Sequence, residues 1–225
     1  MKNCYHHSLR WGPFPSTSFA GLPDSAVATE TPENGVDDIY IAVIIGEIDG
    51  VGKRYAEASQ SRISASGGII AAKITVDTID VSTALEQEIF EDLMAHEIGH
   101  ALGVGTLWGD NTEGGRYVGT NALQAWRDIG CEGDLPLQSA TDTAHWSESC
   151  LGDEIMTPLL RFRQANPLSN ITMGALEDLG YTVDRSLAEP FGLSDLGNCG
   201  SFCPAAGRRI LLGTRHPNLR TRRNK

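Results

Sequence analysis

Apolar residues form two short continuous runs in the first half of the chain, and each predicts a β-strand. Residues 38–48, DIYIAVIIGEI, are rich in β-branched side chains, which is typical of a buried strand. Residues 68–77, GIIAAKITVD, predict a second strand, and its more polar character, with Lys73 on one face, favours the edge of a sheet. The polar residues 53–62 between the two runs predict a loop or a short helix.

Farther along the chain, apolar residues recur at the three- and four-residue steps of amphipathic helices. Residues 83–102 predict a long helix, with Thr83 and Glu86 as a capping box at its start and Gly103 as its stop. Two shorter helices are predicted at residues 120–129 and 169–179. The segments between these helices lack a long periodic pattern and predict irregular loops.

Charge divides the chain into an acidic body and a basic end. The net charge of the 225 residues is -11, yet residues 207–225 carry seven Lys and Arg and no acidic residue. Residues 1–206 carry eleven Lys and Arg against 29 Asp and Glu. A strongly acidic body excludes nucleic acid as its expected partner. No apolar run approaches the roughly 18 residues of a transmembrane helix, and no apolar segment typical of a secretory signal is visible near residue 1.

Both ends of the chain are predicted to lie outside the folded unit. Residues 1–35 hold four of the ten Pro and show no apolar periodicity, which indicates an extended arm. Residues 189–225 predict a loop followed by the basic tail, which is either solvated or a contact for nucleic acid or a membrane. The folded domain is therefore expected at residues 36–188.

The five cysteines do not form a CxxC pair, which excludes a cysteine-based zinc finger. Their spacing suggests two disulfides in an oxidising compartment, Cys131–Cys150 and Cys199–Cys203. The alternative is that all five thiols are reduced.

The clearest chemical signal is His96-Glu97-Ile98-Gly99-His100, which lies within the long predicted helix. Two His four residues apart project from the same helix face, so both imidazoles reach one cation. Glu97 lies beside the first ligand, where a carboxylate acts as the general base on water. The alternative is a helix with two surface His and a solvated Glu.

A catalytic zinc site needs a third protein ligand and one open position. In the zinc-peptidase pattern HExxHxxGxxH the third His would fall at Thr106, and threonine is not a usual zinc ligand. His145 is the best candidate by elimination, because the other three His lie in the predicted arm and tail. Glu148 and Glu154 remain open as carboxylate ligands.

Four segments, HEIGHALG, AHW, EIMTP and ALEDLGY, together resemble the leishmanolysin-like metzincin zinc peptidases. The resemblance covers about residues 38–184. It implies an α+β fold with two lobes, at about residues 36–106 and 107–188. The first lobe would contain a twisted mixed sheet and the active-site helix, and the second would be mostly irregular and helical.

The resemblance also implies a zinc-dependent endopeptidase that cleaves protein or peptide substrates. One Zn²⁺ would be bound by His96, His100 and His145, with Glu97 as the general base and Met156 in a turn beneath the metal. The edge strand at about residues 69–76 would pair with an extended substrate. The residues of this strand that are expected to contact the substrate are Ile70, Ala71, Ala72 and Lys73.

The resemblance favours a secreted or cell-surface protein, and we expect a monomer. The alternative function is a non-catalytic zinc-binding or adhesion domain on the same scaffold. Calcium is a further candidate ion, but no ligand loop of recognised spacing supports it.

Overall fold

Residues 39–64 and 67–203 are described by a computed structural model. The predicted arm at residues 1–35 and the basic tail at 207–225 lie outside the described residues. The described chain has an α+β fold, with two three-stranded sheets and five α-helices. None of these helices has the length and apolar character that crossing a membrane requires.

The larger sheet contains the strands β1 (Tyr40–Gly46), β2 (Ala56–Ile63) and β3 (Ile69–Asp77) in the order β1-β3-β2. β1 is parallel to β3 and β2 is antiparallel to it, so the sheet is mixed as expected. The strands predicted at 38–48 and 68–77 are both present. Buried side chains of β3, including Ile74 and Val76, form a core with the helices that follow.

β3 is the central strand, so the prediction of an edge strand at residues 69–76 is wrong. Its main chain pairs on both sides: Lys73, for example, lies opposite Ala42 of β1 and Ser59 of β2. The main-chain groups of Ile70, Ala71, Ala72 and Lys73 therefore do not form a free edge for a substrate. The polar side chains that suggested an edge lie instead on the face of β3 away from the helices.

The other two strands also differ from prediction. Among the described residues β1 is an edge strand rather than a buried one, because it pairs with β3 alone. Val43 and Ile45 are 48% and 63% exposed. Residues 53–62 were expected to form a loop or helix, but most of them belong to β2. The small and polar side chains of β2 have little intrinsic strand preference, and its pairing with β3 determines the conformation.

The long predicted helix is divided into α1 (Val81–Glu86) and α2 (Phe90–Ala101). The break lies at Glu88, whose φ of 59° is left-handed. The next residue, Ile89, is buried in the core that the sheet shares with both helices. The expected capping box of Thr83 and Glu86 is absent, because α1 begins earlier than predicted. α2 ends as predicted, since Gly103 has a φ of 104°.

A second hydrophobic core lies after α2 and is built around three buried tryptophans, Trp108, Trp126 and Trp146. The elements around it are β4 (Thr112–Glu113), β5 (Arg116–Tyr117), α3 (Thr120–Asp128), β6 (Leu135–Pro136), α4 (Glu148–Leu151) and α5 (Asn170–Asp178). The three short β-strands form the smaller sheet. The predictions of helices at 120–129 and 169–179 are confirmed by α3 and α5, and the Ser169 side chain caps α5.

Two disulfides fasten residues 199–203 to this second core, and their pairing differs from the prediction. Cys131 is bonded to Cys203, and Cys150 is bonded to Cys199. The predicted disulfides Cys131–Cys150 and Cys199–Cys203 are therefore wrong. The reason is a long-range contact: the chain returns beside α4, where Gly197 N–H donates to the Cys150 carbonyl. Spacing along the sequence does not reveal such a contact.

Candidate metal centre

α2 supplies two of the three imidazoles that gather in the site. His96 and His100 are separated by one helical turn, and both side chains are buried, with residue exposures of 7%. Their Nε2 atoms are 3.0 Å apart. Leu93 and Met94 on the same helix are buried in the core beneath the larger sheet, which fixes the direction of the helix.

The third imidazole belongs to His145, which lies in the loop before α4. Its Nε2 is 3.1 Å from the Nε2 of His100. The loop reaches α2 because Gly105 has no side chain: a Cβ there would lie 2.0 Å from the carbonyl oxygen of Ala144. The Gly105 φ of 78° is also left-handed, which favours glycine. Trp108 holds the other side of the loop by donating its indole N–H to Thr143 O at 2.9 Å.

Each imidazole has an oxygen acceptor at its other ring nitrogen. The Nδ1 atom of His96 lies 2.6 Å from the carbonyl oxygen of Ile155, and that of His100 lies 2.9 Å from the carbonyl oxygen of Val104. The Nδ1 atom of His145 lies 3.0 Å from Asp142 Oδ1. A carbonyl oxygen only accepts hydrogen bonds, so the two helix imidazoles carry their protons on Nδ1. Their Nε2 lone pairs then face each other without a proton between them. Such lone pairs repel one another unless a cation lies between them.

The ionisation of the helix imidazoles favours the metal-binding form. Burial lowers the pKa of His96 well below 6.5, and the nearby His100 lowers it further. Burial, followed by the effect of His145, lowers the pKa of His100 to about 4. Both rings are therefore neutral at pH 7, which is the form that binds metal ions. The three His form a group that can hold a metal ion.

Glu97 lies in the same turn of α2, and it is only 4% exposed. Among the described residues, no group donates a hydrogen bond to its Oε2. The pKa of Glu97 is raised to about 7, mainly by burial and also by the charge of Glu57, while the charge of Arg54 opposes the rise. A buried carboxylate with a free oxygen and a pKa near neutrality can take up and return a proton.

Met156 packs against α2 from below. It is 1% exposed, and a Cβ at Gly99 would lie 2.6 Å from its sulfur atom. The glycine inside the His96–His100 motif therefore makes room for the methionine. The Met156 main chain also contacts the loop of the third imidazole, since its carbonyl accepts a hydrogen bond from Trp146 N–H at 3.1 Å.

Thr106, which occupies the third-ligand position of the HExxHxxGxxH pattern, does not join the three imidazoles. Its hydroxyl donates to His100 O at 2.9 Å and accepts a hydrogen bond from Gln60 Nε2 at 2.6 Å. Thr106 therefore closes the end of α2 and joins it to β2. His145 supplies the third imidazole of the group, because the loop before α4 returns to the helix.

The two glutamates that remained open as ligands have other partners. Glu148 binds Arg161, and the fully buried Glu154 accepts hydrogen bonds from Ser169 and Thr172. Within residues 39–64 and 67–203, the three imidazoles are the one group of three or more His, Cys, Asp or Glu with metal-binding spacing. The described acidic residues therefore do not form a calcium site of that kind.

Several residues of the centre were missed by the sequence analysis. Asp142 precedes His145 by three residues, and a carboxylate at that spacing was an available signal for an imidazole partner. Gly105 and Gly99 had no distinctive signal, because their role depends on what packs against them. Val104 and Ile155 bind the imidazoles through their main-chain carbonyl groups, so the identity of their side chains does not predict these contacts.

A scan of protein-family models and a search of curated proteins found no match to this chain.

Proposed function

We propose that the chain is a zinc-dependent endopeptidase of the leishmanolysin-like metzincin kind. The observation that carries this proposal is the convergence of three imidazole Nε2 atoms, together with an unpartnered carboxylate oxygen on Glu97 in the same helical turn. Three neutral imidazoles leave one position of a tetrahedral ion open, which is the ligand count of a catalytic zinc site.

The two short Nε2–Nε2 distances of the centre fit zinc. Zn–N bonds of about 2.0–2.1 Å in a tetrahedral site place neighbouring nitrogens about 3.3 Å apart. The His96–His100 and His100–His145 Nε2 distances are 3.0 Å and 3.1 Å, so a shift of a few tenths of an ångström accommodates the ion. Nitrogen-only ligands also favour zinc over calcium or magnesium, which prefer oxygen.

Zinc at this position supplies a Lewis acid that acidifies water and polarises a peptide carbonyl. Glu97 accepts the proton of the attacking water at Oε2, because that oxygen has no hydrogen-bond partner among the described residues and burial raises the pKa of the carboxyl group. The same carboxyl group then gives the proton to the departing amine, which completes hydrolysis of the peptide bond. Met156 supports the imidazoles from below and has no proton-transfer role.

We propose that an extended substrate pairs with the outer edge of β2. This replaces the incorrect prediction that the substrate pairs with β3. Within residues 39–64 and 67–203, β3 is the one strand that pairs with β2. The side chain of Gln60 joins it to the end of α2 at His100 O, and Glu57 is close enough to influence the ionisation of Glu97. An extended peptide paired with β2 would pass between two lobes, the larger sheet with α2 and the core around the tryptophans.

The two disulfides support a secreted or cell-surface location, because such bonds persist in oxidising compartments. A monomer is sufficient for the proposed reaction, since all four groups of the centre come from one chain.

The test compares Glu97→Gln with Glu91→Gln, which changes an exposed glutamate on the same helix. We expect Glu97→Gln to bind one zinc and to lose about 100- to 10,000-fold in peptide hydrolysis, the usual contribution of a general base. Glu91→Gln should keep both properties. Equal hydrolysis by the two variants would contradict the role of Glu97.

The same measurements separate the proposal from its alternative, a non-catalytic zinc-binding or adhesion domain. An unsubstituted chain that binds zinc but cleaves no casein or fluorogenic peptide would favour the alternative. The unpartnered oxygen of Glu97 favours the enzyme, because a purely structural carboxylate in a buried position normally has a hydrogen-bond partner.

A further inference from the structure

Glu154 is a fully buried carboxylate behind the metal centre, and the proposed reaction does not use it. Four donors surround it. They are Met156 N–H at 2.7 Å from Oε2, and Ser169 N–H, Ser169 Oγ and Thr172 Oγ1 at 3.3, 2.7 and 2.6 Å from Oε1. A carboxylate is the side chain that accepts at both oxygens, so all four bonds require glutamate in its acceptor form. Glu154 thereby joins the turn that contains Met156 to the start of α5.

This turn holds one of the helix imidazoles. With the Met156 N–H bound to Glu154, the peptide before it directs the Ile155 carbonyl to Nδ1 of His96, at 2.6 Å. The Ile155 N–H is also bound, since it donates to Pro167 O at 3.0 Å. The direction of the His96 ring therefore depends on the orientation of two peptide groups that Glu154 and Pro167 fix.

The same hydrogen-bonded group holds the loop imidazole. Trp146, the residue after His145, donates its main-chain N–H to Met156 O at 3.1 Å. Its indole N–H donates to Thr172 Oγ1 at 2.8 Å, and that hydroxyl donates to Glu154. Trp146 is thus fixed at its main chain and its side chain by partners that Glu154 binds.

We propose that Glu154 is a positioning residue that aligns His96 and His145 on one metal ion. Its carboxylate connects three separate segments: the turn at residues 154–157, the start of α5 and the loop of the third ligand. The inference rests on the proposed function, because it assumes that the three imidazoles bind zinc. Glu154 would contact neither the metal nor the substrate. It would act on the imidazoles through the main chain of Met156 and the side chain of Thr172.

The first variant is Glu154→Gln. An amide has one acceptor oxygen, so its NH₂ group would face the Met156 N–H and that hydrogen bond would be lost. We expect the zinc dissociation constant, measured by competition with a chelator, to rise about 10- to 100-fold, the usual effect of removing an outer partner of a metal ligand. The visible absorption spectrum of the Co²⁺-substituted chain should change as well, because the ligand geometry changes.

A matched pair at Thr172 repeats the test with a smaller change in the core. Thr172→Val keeps the shape but removes the hydroxyl that binds both Glu154 and Trp146, whereas Thr172→Ser keeps the hydroxyl. We expect weaker zinc binding and a changed Co²⁺ spectrum in Thr172→Val, with both properties retained in Thr172→Ser. This pair decides the question if Glu154→Gln does not fold.

Ile74→Val controls for a general loss of stability, since Ile74 is fully buried in the other core. It should lower the melting temperature without changing zinc affinity. Wild-type zinc affinity and Co²⁺ spectrum in both Glu154→Gln and Thr172→Val would overturn the positioning role and leave the proposed function intact. Absence of zinc binding in the unsubstituted chain would contradict both.

Discussion

α2 and the loop around His145 contribute to the same centre, but they hold their imidazoles by different means. In α2, the helix spacing places His96 and His100 on one face, and both Nδ1 atoms bind main-chain carbonyls. In the loop, Asp142 binds Nδ1 through a side chain, and Gly105 permits the close approach to the helix. The helix therefore sets where both of its imidazoles lie, although the ring of His96 is also oriented by the distant Ile155 carbonyl. The loop imidazole depends on long-range contacts for its position as well, and single substitutions can remove these contacts.

The largest effect is expected when the loop ligand itself is removed. His145→Ala should reduce zinc affinity by more than the roughly 100-fold that an outer-partner substitution causes, because a metal–ligand bond is lost. Thr106→Ala, at the position where the HExxHxxGxxH pattern has its third His, should bind zinc as the unsubstituted chain does. Zinc content after dialysis measures both. Retention of zinc in His145→Ala together with loss in Thr106→Ala would reverse the assignment.

The close approach of the loop to the helix can be tested at Gly105. An alanine there has a left-handed φ, and its Cβ would collide with Ala144 O, so the free energy of unfolding should fall by about 2–4 kcal/mol. Zinc affinity should fall too, because Ala144 precedes His145. Gly109→Ala is the control, since that glycine has no atom within 4 Å of the added Cβ. Equal denaturation curves for the two variants would show that the approach is not tight.

The sequence predicts the features that depend on local structure better than those that depend on long-range contacts. The His96–His100 motif, the Ser169 cap of α5 and the Gly103 stop depend on neighbours within a few residues, and the structure contains each of them. The third imidazole could be selected only by elimination. Its partner Asp142 and the close approach at Gly105 depend on how the loop folds back onto α2.

The errors in the fold have the same origin. β3 was assigned to an edge from its polar side chains, but the assignment of β2 as a loop or helix left no strand to cover its second side. The pairing of Cys150 with Cys199 depends on residues 49 positions apart meeting beside α4. The break at Glu88 has a left-handed φ and directly precedes the buried Ile89, and the apolar periodicity, which continues through it, does not reveal it.

A smaller effect is expected from weakening the side-chain partner of the loop ligand. Asp142→Asn keeps the size of the side chain but loses the charge that strengthens the bond to His145 Nδ1. Zinc affinity should fall about 10-fold, the low end for such a partner. Asp110→Asn, at an exposed residue of the short 3₁₀ helix Gly109–Asn111, serves as the control. If the two variants have equal dissociation constants, the carboxylate does not orient the ring.

The last prediction is the dependence of hydrolysis on pH, which requires no substitution and concerns α2 alone. A protonated carboxyl group cannot accept the proton of water, so activity should fall as pH decreases below the pKa of Glu97. That pKa is about 7 in the chain itself, and the charge of Zn²⁺ lowers the midpoint from there. Below the midpoint, kcat/KM should decrease about tenfold per pH unit. Activity that stays constant from pH 8 to pH 5 would be inconsistent with Glu97 as the base.

The most direct measurement for the whole account is a zinc titration of the metal-free chain, with peptide hydrolysis followed at each step. Hydrolysis should rise linearly with added zinc and stop rising at one zinc per chain. A chelator should then abolish it, and fresh zinc should restore it. Hydrolysis that is unaffected by the chelator, or failure of the chain to bind zinc, would contradict the assignment of His96, His100 and His145 as the ligands of a catalytic zinc.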